Sequence, residues 1–202
     1  MTASAVSQPR HHFDHVVQLY GSDEQSLVAG VARYLAAGIT RGDGIVVIAT
    51  GAHIDAFVTA LTAQGTSPAA AMREGRMLCL DAATTLAGFM VDGFPDWERF
   101  CGTIDRVVRP VRARTGAAPG GLRAYGEMVG LLWSEGNHPA AICLEEFWNR
   151  FLAAHGFDLY CAYPVDATGS SENPEAFDAV LRCHTHLVTD DADTRTFRPA
   201  RR

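Results

Sequence analysis

The chain contains no lysine: all 17 of its Lys+Arg residues are arginine. A phosphate loop grips the nucleotide with a lysine and several glycine-borne N–H groups, so this absence excludes a working P-loop NTPase. Schiff-base chemistry, the lysine-dependent protein kinases and pyridoxal enzymes fall on the same ground. A G-x-S-x-G nucleophile elbow is also missing. No run approaches the ~20 apolar residues of a membrane helix, and residues 1–10 (MTASAVSQPR) lack the apolar stretch of a signal peptide. Cysteines number five, widely spaced at Cys79, Cys101, Cys143, Cys161 and Cys183. An odd, unpaired set of this kind predicts reduced thiols in a cytoplasmic protein. Positive charge is scarce too. The net charge is -6 and the arginines are scattered, which argues against a nucleic-acid footprint. Their densest group, Arg106, Arg109, Arg112 and Arg114, reads as a solvated helix face.

What is present reads as one folded unit. With 202 residues, 48% of them hydrophobic, a single core needs neither disulfide nor metal. Residues 1–12 read as a flexible arm, 13–188 as the domain and 189–202 as a disordered polar tail. Apolar, β-branched runs predict strands at 15–20, 45–49, 77–80, 122–125 and 159–163. Helical patterns lie between them: from Ser22 to near Gly38, over 52–64, over 83–115 with breaks near Gly93 and Pro95, over 127–133, over 139–155 and over 174–186. The alternation implies an α/β three-layer sandwich with a mostly parallel central sheet. Ligands in such folds sit at the carboxyl ends of the strands. The candidates there are Tyr20, Gly21 and Ser22; Thr50 and His53; Asp81; Tyr125, Gly126 and Glu127; Tyr163 and Pro164.

The loop after the first strand, Tyr20 to Ser26, has one glycine and two carboxylates, Asp23 and Glu24, where phosphate would sit. Glu127 follows a strand and opens a helix; it is either a dipole-favoured first-turn glutamate or a ligand-edge carboxylate. On the 139–155 helix, Glu146 points away from the apolar stripe towards Arg150, as a surface pair. Glu145 borders the stripe near Trp148 and needs a partner, for which Arg123 is a candidate. In Cys183-His184-Thr185-His186 the outer two residues, three apart, would share a helix face, and Cys161 could join them. Without a paired C-x-x-C, no metal or cofactor is assigned; Cys161, Cys183 and His186 are the weak candidates. Tyr20, Tyr125, Met128, Trp133, Trp148 and Tyr163 gather near the presumed strand ends and could line an apolar pocket.

The segment LRAYGEMVGLLWSEGNHPAAICLEEFWNRF, with HVVQLY, IVVIATGAHIDAF, LCLDA, FMVDGFPDWERF, LYCAYP and CHTHL, resembles the MEDS family, the methanogen/methylotroph, dichloromethane-repressor-type sensory domain. The likeness spans roughly residues 13–188. It implies a RecA/KaiC-like fold without a phosphate loop, and a non-catalytic domain that senses small, hydrocarbon-derived molecules. Members often carry an output module; this sequence ends after the sensory region, so a separate signalling protein or self-association is the expected route out. Neither nucleic acid nor membrane is an expected partner. The positions matching the family's motifs are His15, Tyr20, His53, Asp81, Arg123, Tyr125, Gly126, Glu127, Glu145, Trp148, Cys161 and Tyr163. A degenerate nucleotide binder, an interaction scaffold and a small enzyme using Glu127 or His53 as base are the competing readings.

Overall fold

The computed structural model describes residues 13–115, 121–165, 173–188 and 194–196. The expected arm at 1–12 and most of the expected tail lie outside them. Strands β1 (His15–Tyr20), β2 (Gly44–Ala49), β3 (Met77–Asp81), β6 (Leu122–Gly126), β7 (Asp158–Pro164) and β8 (His186–Val188) are parallel. The sheet order is β3-β2-β6-β7-β1-β8, closed by an antiparallel edge strand β9 (Thr194–Thr196). Helices α1 (Gln25–Arg41), α2 (Gly51–Ala63) and α3 (Pro68–Arg73) join β1, β2 and β3. Helices α4 (Ala82–Ala87) and α5 (Trp97–Arg112) lead to β6, α6 (Met128–Ser134) and α7 (His138–His155) to β7, and α8 (Pro174–Cys183) to β8.

Two cores follow from the strand period of two. On one face Ile45, Val47, Ala49, Tyr125, Tyr160 and Ala162 pack with α1–α3 residues such as Leu27, Leu35, Phe57 and Leu61. The alternate residues, Val46, Ile48, Ala124, Leu159, Cys161 and Tyr163, pack with Phe100, Leu144, Trp148 and Phe151 from α5 and α7. Strand β2 is buried along its whole length, as its unbroken apolar run requires. The chain leaves β2 towards β3 and leaves β6 towards β7. Opposite departures from neighbouring strands make their carboxyl ends the switch point of a doubly wound sheet.

Local structure departs from the sequence reading in four places. Helix α1 does not stop at Gly38; it runs to Arg41 and ends on Gly42, whose φ of 79° suits a glycine cap. Gly38 is instead a packing notch, because a Cβ there would lie 2.7 Å from both Ile45 and Arg123 side chains. Between α4 and α5 the chain forms a hairpin, β4 (Met90–Val91) and β5 (Phe94–Pro95). Its Asp92-Gly93 turn has positive φ at both residues (49° and 84°), the signature of a type I′ turn. Residue Ser22 does not cap α1; the N-cap is Glu24, and Asp23 Oδ1 accepts from Gln25 N at 3.0 Å. The last helix stops at Cys183, His184 is extended, and His186 begins β8. The free edge of β1 recruits 186–188 into the sheet, overriding the helical pattern. Cys183 and His186 therefore do not share a helix face.

Candidate functional site

The carboxyl ends of β2 and β6 build one cluster. Glu127 lies after β6, and its backbone N–H donates to Ile48 O at 3.1 Å, tying the two strand ends together. Its carboxylate accepts from three donors: Thr50 N–H at the start of α2, His53 Nδ1 at 2.6 Å and the Tyr125 hydroxyl at 3.1 Å. Thr50 also caps α2 by accepting from His53 N, which aims the imidazole back at Glu127. With Nδ1 committed to the carboxylate, Nε2 faces outward to Glu24 Oε2 at 3.4 Å. Glu127 is nearly buried, whereas the Glu24 side chain is 59% exposed. The hydrogen bond it donates to Glu127 holds the His53 imidazole above its ordinary range, against the opposing pull of burial. Tyr20 is pushed up to about 12 by burial and then by Glu127; its ring meets His53 edge-on at 6.4 Å. A groove of about 480 Å³, open to solvent, adjoins Glu24 and is lined by Asp23, Gln25, Val28, Ala60 and Gln64 among others.

A second cluster lies on the opposite face of the sheet, fully buried. Glu145 on α7 sits among His15 of β1, Cys161 and Tyr163 of β7, and His184 after α8. The Tyr163 hydroxyl donates to Glu145 Oε1 at 2.6 Å. The two imidazoles lie 4.1 Å apart, centroid to centroid. Burial holds His15 below its ordinary range, aided by His184. The Cys161 thiol is pushed well up, first by burial and then by Glu145. Burial alone would raise Glu145; His184 and His15 outweigh it and hold the carboxyl below the usual range.

The residues singled out from sequence therefore divide. Tyr20, His53, Tyr125 and Glu127 form the edge cluster; His15, Glu145, Cys161 and Tyr163 form the buried one. Asp81 is neither: it caps α4 through Thr84 N at 2.7 Å. Trp148 is core, edge-on to Phe100 at 4.9 Å. Arg123 does not pair with Glu145. It sits at the amino end of β6, 3.2 Å from Asp43 Oδ2, donates to Tyr34 O at 3.0 Å and lies over the Tyr34 ring. Arg150 likewise stacks on Trp97 at 4.1 Å, while Glu146 is exposed. Cys183 contributes its carbonyl, an acceptor for Asn149 Nδ2, and His186 Nδ1 neighbours Thr185 Oγ1 at 2.8 Å. Sequence reading named Glu24 only as a phosphate-repelling carboxylate and His184 only as a member of CHTH. Their roles depend on contacts more than 25 residues away, for which no local signal exists.

Fold and site define a doubly wound α/β domain with a polar cluster at its switch point. The family model for MEDS, the MEthanogen/methylotroph, DcmR Sensory domain, matches residues 14–185, and the chain belongs to this family of sensory domains. No curated protein matches the chain. Among the described residues, no helix is long and apolar enough to cross a membrane.

Proposed function

We propose that the chain is a ligand-sensing regulatory domain that recognises a small molecule at the β2–β6 edge and hands the change to a partner protein. The observation that carries this reading is the His53–Glu127 pair. Glu127 orients the imidazole and favours its charged form, so Nε2–H is a fixed donor pointing out of the edge. Its outer partner Glu24 is exposed and easily displaced. A ligand carrying a carbonyl, hydroxyl or carboxylate oxygen takes Glu24's place on Nε2, with Tyr20 alongside. Release of Glu24 frees the N-terminus of α1, and that movement is the signal. The absent phosphate loop and the Asp23–Gln25 contact at α1 favour this over nucleotide binding. The domain binds and reports without catalysing a reaction.

The test is a thermal-shift and NMR screen of short alcohols, aldehydes and carboxylates. Binders should raise the melting temperature and move the His53 imidazole resonances. His53→Gln should abolish both responses, and Glu24→Gln should strengthen binding. Compounds that bind equally well to His53→Gln, or a panel with no binder at all, would sink the reading. Titration with ATP, ADP and GTP with Mg²⁺ separates the nucleotide alternative.

A further inference from the structure

The buried cluster is short of positive charge in a way that its own hydrogen bonds dictate. His15 Nδ1 lies 3.1 Å from both Cys183 O and Asn149 Oδ1, while Asn149 Nδ2 donates to Cys183 O at 2.9 Å. His184 Nδ1 lies 2.7 Å from Val180 O. A carbonyl oxygen only accepts, so both Nδ1 atoms carry hydrogen. While the imidazoles are neutral, each Nε2 turns a lone pair inward, and both face the Glu145 carboxylate, at 3.2 and 3.4 Å, so the cluster needs positive charge from protons or from a metal ion. Acceptor faces acceptor. Tyr163 supplies one hydrogen to Glu145 and the Cys161 thiol one more, to His15 Nε2 at 3.4 Å or Glu145 Oε2 at 3.8 Å, which leaves His184 Nε2 as a buried nitrogen with no hydrogen-bond partner.

We infer that His15 Nε2, His184 Nε2, Cys161 Sγ and a Glu145 oxygen bind a divalent transition-metal ion of the zinc type. One donor atom from each residue lies within 4.8 Å of all the others. His15 Nε2 and Cys161 Sγ lie 3.4 Å apart and 3.2 and 3.8 Å from Glu145 Oε2, while His184 Nε2 lies 3.4 Å from the other carboxylate oxygen, Oε1. Bonds of about 2.0–2.3 Å in a tetrahedron give edges of roughly 3.3–3.6 Å, so small side-chain adjustments suffice. Charge balances as well: thiolate and carboxylate neutralise the dication, leaving no net charge in the core. The carbonyls behind each Nδ1 are the outer partners that a metal-binding imidazole uses to fix its tautomer. Nitrogen and sulfur donors exclude calcium and magnesium. With four protein ligands from β1, α7, β7 and the α8–β8 link, the ion ties residues 15 and 184 together across the fold. The site is independent of the Glu127 edge, and either can fail without the other.

The test uses the full chain. Elemental analysis of protein expressed with Zn²⁺ should find one zinc per chain, and stripping it with a chelator should lower the melting temperature, restored by Zn²⁺. Co²⁺ added to stripped protein should produce a thiolate-to-cobalt charge-transfer band. That band should vanish in folded Cys161→Ser and persist in Cys143→Ser, whose cysteine lies outside the cluster. If Cys161→Ser fails to fold, His184→Gln replaces it, with loss of at least tenfold in Zn²⁺ affinity expected. Folded wild-type protein that takes up neither Zn²⁺ nor Co²⁺, or a band that survives Cys161→Ser, overturns the assignment in favour of a proton-bridged polar core.

Discussion

Replacing Glu127 by alanine removes the acceptor of three donors at once. The Tyr125 hydroxyl is wholly buried and has no water to turn to. Leaving such a donor unpaired costs about 1–3 kcal/mol. Thr50 N–H and His53 Nδ1 are less enclosed, so each loss is about 0.5–1.5 kcal/mol, the net worth of an ordinary hydrogen bond. Together Glu127→Ala should destabilise by about 2–6 kcal/mol, and the melting temperature should fall by about 4–24 °C for a domain of this size. Glu127→Gln keeps one acceptor oxygen and should lose about half as much. Urea titrations followed by circular dichroism measure both. Tyr125→Phe in a double-mutant cycle with Glu127→Gln should give a coupling of about 1 kcal/mol. An alanine variant within about 0.5 kcal/mol of wild type, the range of an unremarkable surface change, would refute the claim that this cluster is a built site.

The same pair sets a pH dependence. His53 is raised above the ordinary imidazole value of about 6.5, chiefly by its hydrogen bond to Glu127. A raised folded value stabilises below the unfolded value and loses that stabilisation as pH rises through the folded one. Wild type should therefore lose stability relative to Glu127→Gln as pH climbs from 6.5 upwards; a constant difference over that window would contradict the pairing. Gly130→Ala would put a Cβ 2.7 Å from Ala162 O, where α6 crosses β7. Backbone cannot yield there, so denaturant unfolding should show a loss of about 1–3 kcal/mol. Arg123→Lys keeps the charge near Asp43 but loses the stack on Tyr34 and the fork that reaches Tyr34 O. It should cost about 1–2 kcal/mol in the same assay, with no effect on ligand response, because Arg123 sits at the amino edge.

Parallel strand alternation was legible because periodicity is local: an all-apolar β2 has to be covered on both faces wherever it sits. The Asp92-Gly93 hairpin was legible too, in a dipeptide that specifies its own turn, although a helical reading passed over it. The end of α8 was not, since only the unpaired edge of β1 explains why 186–188 become a strand.

The sequence by itself determined that the chain has no lysine for a phosphate loop and that its first loop carries two carboxylates, Asp23 and Glu24. What the chain does with its remaining polar residues was decided by tertiary structure alone. Residues on one strand alternate between faces, and register decides which of them meet. Tyr125 and Cys161 both belong to motifs of the central sheet, yet one points to Phe57 and Glu127 and the other to His15 and Glu145. Most of a single list of candidate residues thus divides into two clusters on opposite sides of the sheet. His184 could join Glu145 only once β8 had closed onto β1.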